Sequence, residues 1–343
     1  MLIREELEAL EHQVLNPLAA FADASKGRRA AEKPDEIRTC YMRDRDRIIH
    51  SKSFRRLKHK TQVFIAQGND HYRTRLTHTL EVNQISQTIG KALRLNTDLI
   101  EAIALGHDVG HTPFAHTGEE VLNRLVPGGF KHNVNSIRVL TKIEQGSLGN
   151  GLNLSAEVLD GILQHSGFGK DTSGCMTLEG QVVHYADKIA YVQHDIDDSI
   201  RAGVLALQDI PREYLDILGK THGERIGTLV QDLAVTSRKN LAAGEKKISL
   251  SPSIEQALLG LRKFMFSAVY RGPLCMEERQ GAAHIVEFLF EYYRKRPEEL
   301  PDFYRCLAEE DGTERGVADY ISGMTDNYCM SAFKNIVLPR HYI

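Results

Sequence analysis

Apolar residues recur at the spacing of an α-helix along most of this 343-residue chain, whereas alternating, strand-like patterns are sparse. Helices are predicted over residues 2–22, 79–95, 96–107, 155–165 and 181–207. Most of the remaining chain repeats the helical spacing between short glycine and proline breaks. The chain is therefore predicted to be all-α, with a helical bundle at its centre and further helices in its N- and C-terminal parts.

Composition narrows the class of protein without identifying a function. Hydrophobic residues make up 42% of the chain and charged residues 26%, which is ordinary for a globular protein with a sizeable core. No apolar run approaches the roughly 20 residues of a membrane span, and the N-terminus lacks a signal-peptide pattern. The five cysteines are scattered without CxxC spacing, which indicates reduced thiols. We expect a cytoplasmic protein with no membrane association.

Charge is unevenly distributed although the net charge is only −3. Residues 43–60 contain eight Lys or Arg against two Asp, and we call this stretch the basic segment. Most of its cations are expected to form a solvated face. Three parts are predicted: an N-terminal helix and connector (1–42), a core (43–207), and a helical C-terminal part (208–343) that completes the substrate pocket and makes oligomer contacts. The polar stretch 23–38 is expected to be an exposed connector or a mobile loop.

One run of residues, 106–116, interrupts an otherwise ordinary apolar helix. It reads GHDVGHTPFAH and places three histidines and an aspartate within eleven positions. Gly106, Gly110 and Pro113 are poor helix formers, so the helix is predicted to end here and the polar side chains to project from an irregular segment. Histidine and aspartate both bind divalent metals, and a buried histidine cluster needs a metal or a hydrogen-bond network.

The adjacent residues His107 and Asp108 can supply two ligands to a mononuclear metal site. Such a site needs roughly four to six ligands, some of them from water or substrate. The best further candidates are His78, at the start of the preceding helix, and Asp187, within the long later helix. The alternative for His78 is a helix cap or a surface histidine.

The order His78, His107-Asp108, Asp187 resembles the signature of the HD-domain metal phosphohydrolases. Longer stretches resemble one branch of them, the deoxyguanosine triphosphate triphosphohydrolase-like proteins: 45–51, 54–63, 73–82, 106–119, 130–136, 157–162 and 186–198. The resemblance is dense between residues 40 and 200 and weak beyond, apart from 261–270. A bare HD motif is weakly specific, whereas this ordered set is strongly specific.

The resemblance implies a reaction and the residues that perform it. Enzymes of this branch cleave a deoxynucleoside triphosphate, dGTP or several dNTPs, into deoxynucleoside and triphosphate by attack at the α-phosphorus. The implied cofactor is Mn²⁺ or Mg²⁺, and two histidine ligands make Fe²⁺ or Co²⁺ plausible. His116 resembles the family's catalytic histidine, Glu119 its carboxylate partner, and His111 an active-site histidine that contacts phosphate. The alternative for His111 and His116 is a structural histidine that donates to a loop carbonyl.

A triphosphate carries about four negative charges, so its binding requires several cations. Arg75 lies one helical turn before His78 and can donate two parallel hydrogen bonds to phosphate oxygens. Arg56 in the basic segment and Lys188 beside the last metal candidate are further candidates. His132 is assigned a supporting electrostatic role, because relatives often carry glutamine where Asn135 stands here.

Contacts with the sugar are expected from two regions. Gln62 and Val63 fall where relatives place residues against the sugar. Tyr191 and Asp195 follow the last metal candidate by four and eight residues, on the same helix face. A tyrosine under the deoxyribose and an acid on the 3′-hydroxyl fit this geometry, although plain core packing competes for Tyr191. The second His-Asp pair, His194-Asp195, lacks the glycine-flanked helix end and is interpreted as lying on the substrate side.

Two other functions remain open at this point. One is an HD phosphodiesterase or nucleotidase that acts on another phosphoester. The other is a nucleic-acid-responsive regulator that keeps the fold and binds single strands through the basic segment. Relatives are oligomers whose activity can respond to nucleotides or to single-stranded DNA. A homo-oligomer with a dNTP substrate, and with an allosteric nucleotide or single-stranded DNA as a further partner, is therefore expected.

Overall fold

The computed structural model describes residues 2–62, 73–167, 172–270 and 273–338, and within them it confirms the all-α prediction. The α-helices are α1 (Ile3–Val14), α2 (Cys40–Ile49), α3 (Lys52–Arg56), α4 (Arg75–Leu93), α5 (Thr97–Gly106), α6 (Ala115–Leu125), α7 (His132–Arg138), α8 (Ala156–Gln164), α9 (Leu178–Arg201), α10 (Arg212–Leu218), α11 (His222–Ala242), α12 (Pro252–Met265), α13 (Pro273–Lys295), α14 (Asp302–Asp311), α15 (Thr313–Ser322) and α16 (Asp326–Val337). Strands β1 (Gln145–Gly146) and β2 (Gly149–Asn150) form a short antiparallel hairpin.

Shorter turns complete the secondary structure. Single 3₁₀ turns span Ala22–Ala24, Leu57–His59, Thr172–Gly174, Leu207–Asp209 and Pro297–Glu299, and π-helical turns span Val139–Ile143 and Phe266–Tyr270. Three of the helices that carry the site begin at polar caps. The Thr74 hydroxyl accepts from an N–H in the first turn of α4, Asn96 caps α5, and Thr177 caps α9. These caps set where each helix begins and so which residues face inward.

The N-terminal helix is shorter than predicted and exposes part of its apolar stripe. It ends at Val14 and not at residue 22, because proline at position 17 disfavours helical geometry just before it. Leu10 and Val14 are each 48% exposed. The inward side carries Glu11, whose carboxylate accepts from the backbone of Ala22 (2.7 Å) and from Asn96 (3.0 Å). Burial raises the pKa of Glu11 to about 7.

The connector 23–38 contains no α-helix and is tied to the body by Arg28. This guanidinium pairs with Asp44 and donates to the backbone carbonyls of Cys40 and Asn153. Asp44 also accepts from the backbone of Ser155 at 2.9 Å. The stretch is therefore a connector that is bonded to the rest of the described structure, and its mobility stays a prediction.

Two apolar clusters form the core. The larger one joins α2, α4, α5, α8, α9 and the helices up to α12, with Ile48, Ile103 and Ile162 fully buried. The smaller one joins α6 to α13, α15 and α16. Helix α6, which follows the 106–116 run, thus packs mainly on the C-terminal helices, and the two parts of the chain meet beside that run. The boundaries at residues 42 and 207 stay a prediction. Among the described residues, no helix is both long enough and apolar enough to cross a bilayer.

Candidate active site

The four predicted metal ligands converge at one place. His78 lies in the first turn of α4, His107 and Asp108 follow the last residue of α5, and Asp187 lies in the middle of α9. Nε2 of His78 is 3.1 Å from Oδ1 of Asp187, and Nε2 of His107 is 3.9 Å from the same oxygen. Nε2 of His107 is also 3.6 Å from Oδ2 of Asp108. Two imidazole nitrogens and two carboxylates therefore surround one point.

The hydrogen bonding of His107 fits a metal at that point. Its Nδ1 donates to the carbonyl of Ala104 at 2.6 Å, which leaves Nε2 as a lone-pair donor. Nε2 is buried and has no hydrogen-bond partner among the described residues. Burying such a nitrogen costs free energy unless a ligand binds to it. The ligand atoms of His78, His107 and Asp108 all lie within 4.8 Å of one another, close enough to share one ion. The donor set suits a divalent metal ion.

Positive charge keeps the two aspartates ionised. Burial alone would raise the pKa of Asp108, but His107 and Arg75 outweigh it and hold that pKa well below its usual value. Burial would likewise raise the pKa of Asp187, but other groups, chiefly the hydrogen bond from His78, outweigh it and lower that pKa. Nη1 of Arg75 lies 2.6 Å from Oδ2 of Asp108. Arg75 is buried and lines the cavity described below, whereas its forked contact with phosphate stays a prediction.

Beside the metal ligands, Glu119 holds two histidines. Its carboxylate lies 2.9 and 3.0 Å from Nδ1 of His132 and accepts from the backbone N–H of His132 at 2.8 Å. Nδ1 of His116, its predicted partner, is 3.5 Å away. His132 was predicted only to support the site, but in the structure it is the tighter partner of Glu119. Burial would lower the pKa of His132, yet the Glu119 carboxylate raises it.

The third predicted histidine, His111, stacks on this pair. Its ring lies 4.2 Å from that of His132 at an angle of 15°, and Nε2 lies 3.8 Å from Oδ1 of Asp108. Burial, and then the nearby charge of Arg75, lower the pKa of His111 well below its usual value. His111 is therefore neutral at physiological pH and stands beside the metal ligands.

Two cavities meet at the site. The first, of about 170 Å³, is lined by Gln62, Arg75, His78, Asp108, His111, His116, His132, His165, Ser166, Gly167, Asp187, Tyr191 and Arg262. The second, of about 370 Å³, is lined by His116, Glu119, Glu120, Asn123, Phe130, Lys131, Tyr191, Val192, Asp195, Arg262, Met265 and Phe266. His116, Tyr191 and Arg262 belong to both linings and so stand at the junction.

The predicted sugar contacts lie at these cavities. The ring of Tyr191 meets that of His116 edge-on at 6.2 Å. Asp195 lines the larger cavity, and burial raises its pKa well above the usual value. Gln62 lines the smaller cavity, and its buried Oε1 has no hydrogen-bond partner among the described residues. Val63 lies outside the described residues.

Two predicted phosphate contacts lie outside both linings. Arg56 donates to the carbonyl of Gly323 at 2.9 Å. Nζ of Lys188 lies 5.1 Å from the centre of the Tyr185 ring, and burial lowers its pKa to about 8. Their assignment as phosphate ligands stays a prediction.

His165 and Arg262 were missed by the sequence analysis. Nδ1 of His165 donates to the carbonyl of Ile162 at 2.6 Å, and its Nε2 lies 3.3 Å from Nε2 of His132. Burial lowers the pKa of His165 to about 3, so the ring is a neutral acceptor. His165 had been noted only as the end of a predicted helix. Arg262 falls in the short stretch 261–270 that resembled the family, which was the available signal.

The C-terminal helices fix the segment that carries His116. The Asp326 carboxylate accepts from the backbone of Thr61 (2.8 Å) and of Phe114 (2.9 Å). Phe114 and Ala115 have φ of 59° and 54°, a left-handed conformation that costs energy outside glycine. Buried Lys60 donates to the carbonyl of Ser322 at 2.7 Å and to that of His111. The strained turn before His116 is thus held from outside by two buried charged side chains.

Comparison with known protein families agrees with this geometry. Residues 75–192 match the HD domain, and residues 248–335 match the phosphohydrolase-associated domain. A helical fold in which two helix ends and a long helix present the His, His-Asp and Asp side chains defines an HD-domain phosphohydrolase.

Curated relatives narrow the family further. A deoxyguanosinetriphosphate triphosphohydrolase-like protein of Clostridium tetani is 57% identical over 99% of this chain and 97% of its own length. One of Caldanaerobacter subterraneus subsp. tengcongensis is 53% identical over 99% of this chain and 97% of its own. The chain belongs to this deoxyguanosinetriphosphate triphosphohydrolase-like family. A solved structure of a hypothetical protein from Aquifex aeolicus shares the fold, with a TM-score of 0.50 and 20% identity over 87% of this chain and 69% of that one.

Proposed function

We propose that this protein hydrolyses deoxynucleoside triphosphates, dGTP or several dNTPs, to deoxynucleoside and inorganic triphosphate by attack at the α-phosphorus. The observation that carries the proposal is the junction of the two cavities. The smaller one is lined by three of the four candidate metal ligands and by cationic groups, and the larger one has room for a sugar and base. His116 stands between them, where the bond between phosphate and sugar would lie. The names of the relatives support the same reaction.

The metal would be held by His78, His107, Asp108 and Asp187. When bound, a divalent ion supplies Lewis acidity toward the phosphoryl oxygen and lowers the pKa of a coordinated water. Arg75 lies within the same cavity and brings positive charge to the phosphates. Mn²⁺ and Mg²⁺ are the proposed ions.

The remaining step is proton delivery to the leaving group. The bond from the α-phosphorus to the sugar 5′-oxygen breaks as the bond to the water oxygen forms, so that the 5′-oxygen must gain a proton. His116 is proposed to donate it, because histidine exchanges protons near neutral pH. Glu119 orients His116 at 3.5 Å, and His132 and His111 line the phosphate side. Tyr191 and Asp195 are proposed to contact the deoxyribose.

Product analysis tests the reaction. Each dNTP and rNTP is incubated with the protein and Mn²⁺, and the products are separated by ion-exchange chromatography. Deoxynucleoside and triphosphate in equal amounts are expected. Release of pyrophosphate or orthophosphate would instead favour a nucleotidase or phosphodiesterase and would overturn the proposal. We expect His116→Ala to retain Mn²⁺ and lose turnover, whereas Asp108→Ala loses both.

A regulatory partner is proposed for a second surface. Five exposed residues of the basic segment have no ion pair or side-chain hydrogen bond among the described residues: His50, Lys52, Arg55, Lys58 and His59. Three of them line a cavity of about 350 Å³ next to α3. We propose that this face binds single-stranded DNA, or a regulatory nucleotide, in a homo-oligomer.

Binding to this face is tested by fluorescence anisotropy with a labelled single strand across a salt series, alongside the oligomeric state from light scattering. Affinity that falls with salt, and falls further in Lys52→Glu/Arg55→Glu, is expected. Binding without a salt slope would exclude the basic segment as its cause.

A further inference from the structure

Both ring nitrogens of His78 have partners. Nε2 faces the point where the metal ligands converge, 3.1 Å from Asp187. Nδ1, on the opposite side of the ring, lies 3.3 Å from Nδ1 of His194. The two rings are nearly perpendicular, at 88°, with centres 5.4 Å apart, and both are buried. The ring nitrogen of His78 that faces away from the metal site therefore contacts a second histidine.

One arrangement of hydrogens satisfies these contacts. If Nε2 of His78 offers its lone pair to a metal, the neutral ring carries its hydrogen on Nδ1 and donates it to His194. His194 then accepts on Nδ1 and carries its own hydrogen on Nε2. That Nε2 lies 2.9 Å from Oε2 of Glu81, an ion-pair distance, and this buried carboxylate oxygen has no aligned hydrogen-bond partner among the described residues, so it is free to accept the hydrogen. The direction of donation runs from His78 through His194 to Glu81.

The carboxylate at the end of this chain is itself held in place. Nε of Arg73 lies 3.3 Å from both oxygens of Glu81, and Arg73 also reaches Asp197 at 3.1 Å and Asp198 at 2.8 Å. Burial would raise the pKa of Glu81, but His194 and then Arg73 outweigh it and lower that pKa. Glu81 is thus a charged acceptor with a fixed orientation.

We propose that Glu81 and His194 are positioning residues that fix the ring orientation and the tautomer of His78, so that Nε2 faces the metal. The inference rests on the proposed metal site and extends it by one imidazole and one carboxylate. It also gives the second His-Asp pair a divided role: Asp195 lines the larger cavity, whereas His194 stands behind the metal ligand. Groups that hydrogen-bond to a metal-binding histidine commonly tune metal affinity 10- to 100-fold.

Metal affinity is the first measurement. The dissociation constant for Mn²⁺ alone is measured by electron paramagnetic resonance of the free ion. His194→Phe keeps a ring but removes the acceptor, and we expect roughly 10- to 100-fold weaker binding. In His194→Gln the amide oxygen can accept and the amide N–H can donate, so binding should recover to within about tenfold of the wild type. Glu81→Gln should weaken binding by a smaller factor than His194→Phe. His222→Ala is the matched control, because its ring stacks on His194 at 6.3 Å without reaching His78.

The hydrogen bond from His78 is the second measurement, and it is made with diamagnetic Mg²⁺ bound, because without a metal Nε2 of His78 can instead donate to Asp187. Nitrogen-15 NMR of the Mg²⁺-loaded wild type should show the His78 hydrogen on Nδ1 with the shift of a hydrogen-bonded N–H, and this shift should move in Glu81→Gln. Glu81→Gln carries the test if His194→Phe fails to fold. Equal Mn²⁺ affinity and an unchanged His78 Nδ1 shift in all variants would overturn the positioning role while leaving the metal site intact. A wild type that does not bind Mn²⁺ would overturn the metal site and this inference with it.

Discussion

The Glu119 carboxylate offers a sharp test of the catalytic half of the site. Glu119→Gln preserves the size of the side chain and one acceptor oxygen, so the contacts with the His132 backbone and ring can remain. What it removes is the negative charge, 3.5 Å from Nδ1 of His116. Two unit charges at that distance interact by about 1 kcal/mol in water and about 5 kcal/mol at an effective dielectric constant of 20. Because the His116 side chain is 48% exposed, we expect the lower part of that range, about 1–3 kcal/mol.

That range corresponds to a fall in kcat of roughly 5- to 150-fold. The assay is steady-state dGTP hydrolysis with Mn²⁺ from pH 5.5 to 9. The carboxylate raises the pKa of His132, so the variant should have a lower one. Activity that depends on a protonated His132 on the phosphate side of the site would then be lost at a lower pH than in the wild type. Glu179→Gln is the control, since Glu179 is a buried carboxylate that accepts the backbone N–H groups of Ala20 and Asn96 and lines neither cavity of the site. A kcat within twofold of wild type, with an unshifted pH profile, would refute the reasoning.

Three further predictions concern stability, measured by urea unfolding. Gly110→Ala places a Cβ 2.1 Å from the backbone nitrogen of Ser136 and should lower the free energy of unfolding by about 1–3 kcal/mol. The control is Gly227→Ala in α11, where a Cβ meets nothing within 4 Å and should stabilise the protein by up to about 1 kcal/mol. Equal effects of the two substitutions would refute the close packing at Gly110. Asp326→Asn removes a charged acceptor from two backbone N–H groups and should cost about 1–3 kcal/mol, and an unchanged midpoint would contradict the role assigned to it. Burial lowers the pKa of Lys60 from 10.5 to about 7. Between pH 7 and pH 10.5 the unfolded chain therefore binds one more proton than the folded chain, and the free energy of unfolding should rise with pH. Lys60→Met should flatten that slope, and an identical slope in the variant would contradict the pKa shift.

The metal half of the site could be predicted from the sequence because its geometry is local to three helices. The break after α5 fixes His107 and Asp108 together, and helical spacing sets the inward face of α9 that carries Asp187. The ordered match to a family then paired them with His78. The relation of Glu119 to His116 was implied by the resemblance to the family, and the two residues lie three positions apart on α6.

The remaining contacts could not be predicted because they depend on packing between distant segments. His165 meets His132 only where α8 packs on α7. The bond between Asp326 and Phe114 spans 212 positions, and no spacing rule indicates it. The helical pattern of α1 does not indicate its inward side either, because the surroundings hydrogen-bond Glu11 on that side and leave Leu10 exposed.

Hydrogen bonds from α15 and α16 hold the segment around His116, and this limits how the two matched regions can be separated in other proteins. The two regions matched by family models are separate in sequence, yet Asp326 and Lys60 tie the second to the segment between His111 and His116 of the first. An HD region transferred alone into another chain would lose the acceptor of the Phe114 N–H and would keep a left-handed turn with no external support. Inheritance of the two regions as one unit follows from that bond. Recombination between them is expected to succeed only where the residues equivalent to Asp326 and Lys60 travel with their partners.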